Sequence, residues 1–273
     1  MISVIFCFVV IGIIVGTLAA LFGFGGGVIV VPAIAMYISI YEPTFTSNSM
    51  HIAVATSLLV MLFTSLKTTY AHHKANNIIW SVALKLKLGL IIGTIVGAAV
   101  ASYLSSILLK ILFIIFLIYT IAKLILKMIS NAKSTKVNQA SHSINKPSSK
   151  LLYTYGLITG FVSVVLGIGG SIIIVPFLRG RNYKLTSAAA ISSSIIPFLA
   201  LFGAISYTII GFGDPNLPNY CLGYVYLPVA VSIIVGSFVG VSIGVKLSRV
   251  VPHKIQDWVY LACIIIILML MIL

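Results

Sequence analysis

Apolar residues run through this chain in long blocks separated by short polar or basic breaks, and the blocks fall into two sets of four. The first set is A (3–40), B (51–71), C (81–104) and D (107–129). The second is A′ (151–182), B′ (184–212), C′ (222–247) and D′ (254–273). Most approach or exceed the roughly 20 residues that a helix needs to cross a bilayer. Between the sets lies NAKSTKVNQASHSINKPSSK at 131–150, a linker by composition. The predicted organisation is a first repeat (1–130), a cytoplasmic linker (131–150) and a second repeat (151–273).

The two sets begin with the same motif. Residues 12–33 read GIIVGTLAALFGFGGGVIVVPA and residues 156–177 read GLITGFVSVVLGIGGSIIIVPF, aligned without a gap at an offset of 144. Ala55-Thr56-Ser57 aligns with Ile191-Ser192-Ser193 at 136, and Gly93, Gly97, Leu104 and Ser105 align with Gly236, Gly240, Leu247 and Ser248 at 143. Such internal similarity is the signature of a duplicated membrane transporter.

Composition narrows the class. The chain is 60% hydrophobic and only 7% charged, where a soluble domain carries about 25% charged residues. The net charge of +14 does not point to nucleic acid. The basic residues lie in short connections, where they orient membrane helices, and no basic helix carries interleaved aromatics for base stacking. Cys7, Cys221 and Cys263 form no metal-ligand spacing, so neither a metal nor a cofactor is expected. The N-terminal apolar segment lacks a basic flank, so a cleaved signal peptide is not expected.

Charge also sets the predicted topology. If A′ crossed once, the basic residues would divide 10 to 7 across the membrane. If A′ enters and returns to the same face, all of the 17 except Lys110 fall on the cytoplasmic side, as the positive-inside rule requires. A′ is too short for two full spans, so it reads as a V: a half-helix in, a break at Gly167-Ile168-Gly169-Gly170, and a half-helix back. With A folded alike, each half holds a V and three crossings. That makes an all-α polytopic membrane protein of two inverted-topology repeats. Both termini fall outside a plasma (inner) membrane. The length of A leaves open whether it is re-entrant or two full spans.

The breaks carry the candidate chemistry. The first N–H groups of a helix lack intrahelical partners, and its N-terminal end carries partial positive charge. Together these make an anion site. The predicted returning helices begin near Val28 and Ile172, with Pro32 and Pro176 in their early turns, and their ends are expected to converge near the midplane. Gly23, Gly25, Gly26 and Gly27 in the first break, and Gly167, Gly169, Gly170 and Ser171 in the second, are the predicted anion-binding backbone. Thr56, Ser57, Ser192 and Ser193 would complete it with hydroxyl donors. Gly93/Gly97 and Gly236/Gly240 read as helix-packing positions. The acids Glu42, Asp214 and Asp257 read as surface residues, and no carboxylate–histidine relay for protons is evident. His51 could face an outer vestibule. No nucleophile–base pair suggests an enzyme.

The paired motifs ALFGFGGGVIVVPA and VVLGIGGSIIIVPF, with the Thr/Ser positions after each, resemble the TauE/SafE sulfite-exporter family over nearly the whole chain. The resemblance implies a membrane permease for sulfite, sulfonates or related sulfur-containing anions, working by alternating access. A passive anion channel on the same fold, or a carrier of small carboxylates, stays open as an alternative. Ser171 stands where the first half has Gly27, and Ser192 where it has Thr56. The cysteines lie away from the motifs, so a relay of membrane cysteines, as in related thiosulfate importers, is not expected. The expected partners are the anion and the lipid bilayer, with no nucleic acid. The oligomeric state stays open, a homo-oligomer included.

Overall fold

The computed structural model describes residues 2–22, 26–133, 147–250 and 253–272. The described chain is all-α apart from one two-stranded hairpin. The helices are α1 (Ile2–Phe22), α2 (Gly27–Tyr41), α3 (Ser49–Lys74), α4 (Trp80–Ser102), α5 (Ser106–Lys133), α6 (Ser149–Leu166), α7 (Ser171–Arg179), α8 (Leu185–Ile210), α9 (Leu227–Val250) and α10 (His253–Ile272). A 3-10 turn, Pro43–Asn48, leads into α3, and strands β1 (Cys221–Leu222) and β2 (Val225–Tyr226) lead into α9. Among the described residues, seven helices are long and apolar enough to cross a membrane.

The centre is built from α3 and α8, whose spans are 78% and 72% buried, while α1 and α5 are 28% buried and face outward. The two central helices run antiparallel. Thr69 donates to the Ser193 carbonyl (2.8 Å), and Leu58 packs near Gly203 on the opposite stretch.

Segments A and A′ each form a helical hairpin with unequal arms. At the second, Gly170 lies against Thr159 and Ser163, and Phe177 stacks on Tyr155 at 3.8 Å, so α7 runs back along α6. At the first, Gly26 lies against Val15 and Ala19, and Tyr37 meets Phe8 edge-on at 5.2 Å. The V shape is present, but the arriving arms are not half-helices. The 18 residues of α6 reach about 27 Å and the 21 of α1 about 32 Å, close to a full bilayer core. Only α7, with 9 residues, and α2, with 15, fall short.

The arriving helices owe their length to packing across the halves. The most extensive helix contacts are α1 with α9 and α4 with α6. Backbone meets backbone in both. On α4, Gly89, Gly93 and Gly97 sit against the carbonyls of Tyr153, Leu157 and Phe161; on α9, Gly236, Gly240 and Gly244 sit against those of Val9, Ile13 and Thr17. In return, Gly156 and Gly160 meet Leu86 and Leu90, while Gly12 and Gly16 meet Ile233 and Ser237. A methyl at any of these positions would overlap the facing backbone, which is how small residues let membrane helices associate.

These matched contacts correct the register of the repeat. Gly89, Gly93 and Gly97 correspond to Gly236, Gly240 and Gly244 at an offset of 147, four residues or about one helical turn beyond the 143 read from sequence. A glycine every fourth residue matches itself when slid by one turn, so similarity alone selects the wrong register. The helix partners select the right one.

Candidate functional site

Gly23 and Gly25 lie outside the described residues, so the first break is seen from Gly26 onward. Gly26 has φ +79°, a left-handed conformation that glycine adopts without steric cost. Its carbonyl accepts from Ile29 and Val30 and so starts α2. In the second break Gly167 has φ +66° and ends α6. The N–H of Ile168 donates to the Ser163 carbonyl at 3.0 Å, closing the helix in the Schellman manner. Gly169 is buried in the turn. Gly170, at φ −64°, needs glycine for space, because a Cβ there would lie 2.6 Å from Thr159 Cγ2.

Pro32 and Pro176 are the sixth residues of α2 and α7, one turn deeper than the first-turn positions where a missing N–H costs nothing. Each therefore leaves a carbonyl, that of Val28 or Ile172, without its usual helical donor. Both ends of the returning helices thus carry freed backbone groups beside the break.

The two breaks meet. Gly27, first residue of α2, abuts the Gly167 carbonyl, and Ser57 and Met61 close around the contact. Ser57 Oγ donates to that same carbonyl at 2.9 Å. Val31 and Val54 cover Gly167 from the first half. Ser192 Oγ donates to Ser171 Oγ at 2.9 Å, so the second helix start is held by its own hydroxyl pair. Gly27, Ser57 and Gly167 thus form one cluster at the contact, and Gly170, Ser171 and Ser192 lie at the start of α7, a few residues along the chain from Gly167.

Thr56 points elsewhere. It is one residue, about 100° of helix, from Ser57, and its Oγ1 accepts the Tyr226 N–H at 3.0 Å. It anchors the hairpin to α3. Ser193 is buried and its carbonyl receives Thr69. His51 does not face a vestibule: it is buried, with Nε2 3.1 Å from the Ala101 carbonyl and its ring against Tyr224.

Sequence reading missed Thr159, Ser163, Met61 and Tyr207. Tyr207 Oη donates to the Val164 carbonyl at 3.3 Å, just ahead of the break. The signal for two of these was available in the repeat itself. At an offset of 144, Thr159 and Ser163 replace Val15 and Ala19, so hydroxyls appear in one half where the other has methyls.

Among the described residues, no group of three His, Cys, Asp or Glu could hold a metal ion. Glu42 and Asp214 share a face: Asn48 donates to Asp214 at 3.0 Å, and Glu42 raises the Cys221 thiol alongside it. That thiol is pushed up to about 12, first by burial and then by the Glu42 charge. Two surface grooves, of about 400 Å³ along α9 near Lys246 and about 570 Å³ between Lys85 and Lys150, lie away from the breaks.

A family model described as sulfite exporter TauE/SafE matches residues 8–271. The chain belongs to that family. As a TauE/SafE protein it is a multi-pass membrane transporter. It is similar to a probable membrane transporter protein of Haemophilus influenzae, 28% identical over 91% of this chain and 90% of that one. A probable membrane transporter protein of Methanocaldococcus jannaschii is 31% identical over 90% of this chain and 87% of its own length. One of Bacillus subtilis is 28% identical, covering 90% and 89%. No solved structure matches this TauE/SafE chain.

Proposed function

We propose that this chain is a plasma-membrane permease that exports small sulfur-containing anions, sulfite or sulfonates, by alternating access, and that it is not an enzyme. The observation that carries the reading is the contact of Gly27 with Gly167, which brings the start of α2 against the break that precedes α7. Helix N-termini favour negative charge. Their donors there are backbone amides and hydroxyls, which bind an anion without a fixed cation and so release it readily. The family description supports the sulfur chemistry.

The basic face of the bundle carries Lys74, Lys150, Arg179 and Lys184, at or beside the ends of α3, α6, α7 and α8, and the opposite face carries Glu42 and Asp214. This supports a cytoplasmic linker and outward termini, and two halves of inverted topology. A potential of ~100 mV, negative inside, contributes about 2.3 kcal/mol per charge to an anion leaving the cell. Efflux then needs no coupling ion. The junction is buried, so passage requires one half to rock against the other, opening the α4–α6 or α1–α9 side.

The test is counterflow in proteoliposomes. Unlabelled sulfite on the far side should accelerate entry of labelled sulfite, with saturation. Unsaturable flux without acceleration would identify a channel instead. Counterflow with small carboxylates but not with sulfite or sulfonates would move the substrate class.

A further inference from the structure

Many buried hydroxyls on these helices satisfy themselves by donating to the carbonyl three or four residues back, and others, such as Ser57 and Ser192, donate across to another segment. Thr64, Thr94, Thr120, Thr159 and Ser194 donate in the first way. Ser163 does neither. It is 1% exposed, and among the described residues its Oγ is the sole fully buried side-chain polar atom with no hydrogen-bond partner. Leaving such a group unpaired is costly, so native proteins rarely do it.

Its position gives the reason. Ser163 Oγ lies 3.7 Å from where a Cβ of Gly170 would stand. Gly170 caps the start of α7, so the hydroxyl sits directly over that helix end. Ser171 and Ser192, already paired with each other, lie at the same end. Among the described residues the first break has no unpaired hydroxyl: Val15 and Ala19 face Gly26, Gly27 stands in place of Ser171, and Ser57 Oγ, beside Gly27, donates to the Gly167 carbonyl.

Resting on the permease reading above, we infer that the anion seats at the second break alone, with Ser163 as a direct ligand beside Ser171, Ser192 and the α7 amides. The first break is the dry partner, whose Gly27 packs against Gly167 and moves with the gate. Three hydroxyls and a helix end together suit a small oxyanion that offers several acceptor oxygens, such as the sulfite or sulfonate group. A lone carboxylate would leave donors unmet. The charge-neutral donor set makes the site selective by geometry and weak enough for turnover.

The test uses the full-length protein with Ser163→Ala, Ser163→Cys and, as a control on α8 away from the site, Ser206→Ala. Ser206 donates to the Phe202 carbonyl. Ser163→Ala should raise the KM for sulfite about 10- to 100-fold, the range for losing a hydrogen bond to a charged group, with maximal flux largely kept. Ser163→Cys, similar in size but a weak donor, should do the same. In detergent, sulfite should raise the melting temperature of wild type and of Ser206→Ala but not of the Ser163 variants. Without sulfite, the variants should melt no lower than wild type, since they lose an unpaired polar group. Saturable sulfite flux with an unchanged KM in both Ser163 variants would overturn the inference and leave the permease reading standing. So would a large loss of melting temperature without sulfite, which marks a structural role. Wild type that neither carries nor is stabilised by sulfite or sulfonates would overturn both.

Discussion

Ser57 on α3 donates its hydroxyl to the carbonyl of Gly167, 2.9 Å away, and so ties a central helix of the first half to the broken segment of the second. The bond is fully buried. Ser57→Ala should destabilise the protein by about 1–3 kcal/mol, because the Gly167 carbonyl is left unmet. Thermal unfolding in detergent measures this, and an unchanged midpoint would mean that the tie contributes nothing.

The glycine ladders make a contrasting prediction. Gly93→Ala and Gly240→Ala should each sharply reduce folded yield, since the added methyl meets the backbone of Leu157 or Ile13. Gly180→Ala should be tolerated, with φ −62° and no neighbour nearer than 3.5 Å. Size-exclusion profiles of the three variants give the readout. Equal behaviour at all three sites would contradict the backbone-to-backbone packing.

This packing also shows what sequence conveys and what it hides. The break at Gly167 was legible because glycine clusters do not recur by accident inside apolar segments. The register of Gly89, Gly93 and Gly97 was not, because a four-residue spacing is indifferent to a slip of one turn. Both arms of the second V read as half-helices, yet α6 extends back to Ser149 and packs its glycines on Leu86 and Leu90 of α4. Only a tertiary partner dictates that length. Thr56 and Ser57 read as one unit along the chain, but adjacent helical residues diverge, so one meets the hairpin and the other the break. The hairpin at Cys221–Tyr226 is too short to leave a pattern. Ser163 was missed for a different reason: it was aligned with Ala19 inside a matching motif, and the match drew attention away from the difference.

Cys221 gives a pH prediction. Its thiol is held near 12, well above the usual thiol range, so it is neutral at physiological pH and its thiolate grows about tenfold per pH unit from 8 to 11. In a Cys7→Ser/Cys263→Ser background, maleimide labelling should be very slow at pH 8 and climb steadily with pH. The unfolded chain ionises first, so stability falls as pH rises above about 9. Rapid labelling at pH 8 would contradict the half-buried placement beside Glu42.

Topology is checked by cysteine accessibility in cells. Tyr103→Cys, at the 91% exposed turn before α5, should react with an impermeant reagent added outside. Arg181→Cys, between α7 and α8, should react only after permeabilisation. Labelling of both from the same side would contradict a second hairpin that enters and leaves on the basic face.

The most direct test of the account is efflux of radiolabelled sulfite from proteoliposomes at a set membrane potential, comparing wild type with Gly26→Leu/Gly170→Leu. The account predicts saturable efflux that rises as the interior is made more negative and is lost in the folded variant. Efflux that persists in the folded variant, or is absent from folded wild type, would contradict an anion seat at the start of α7 with the first break packed beside it.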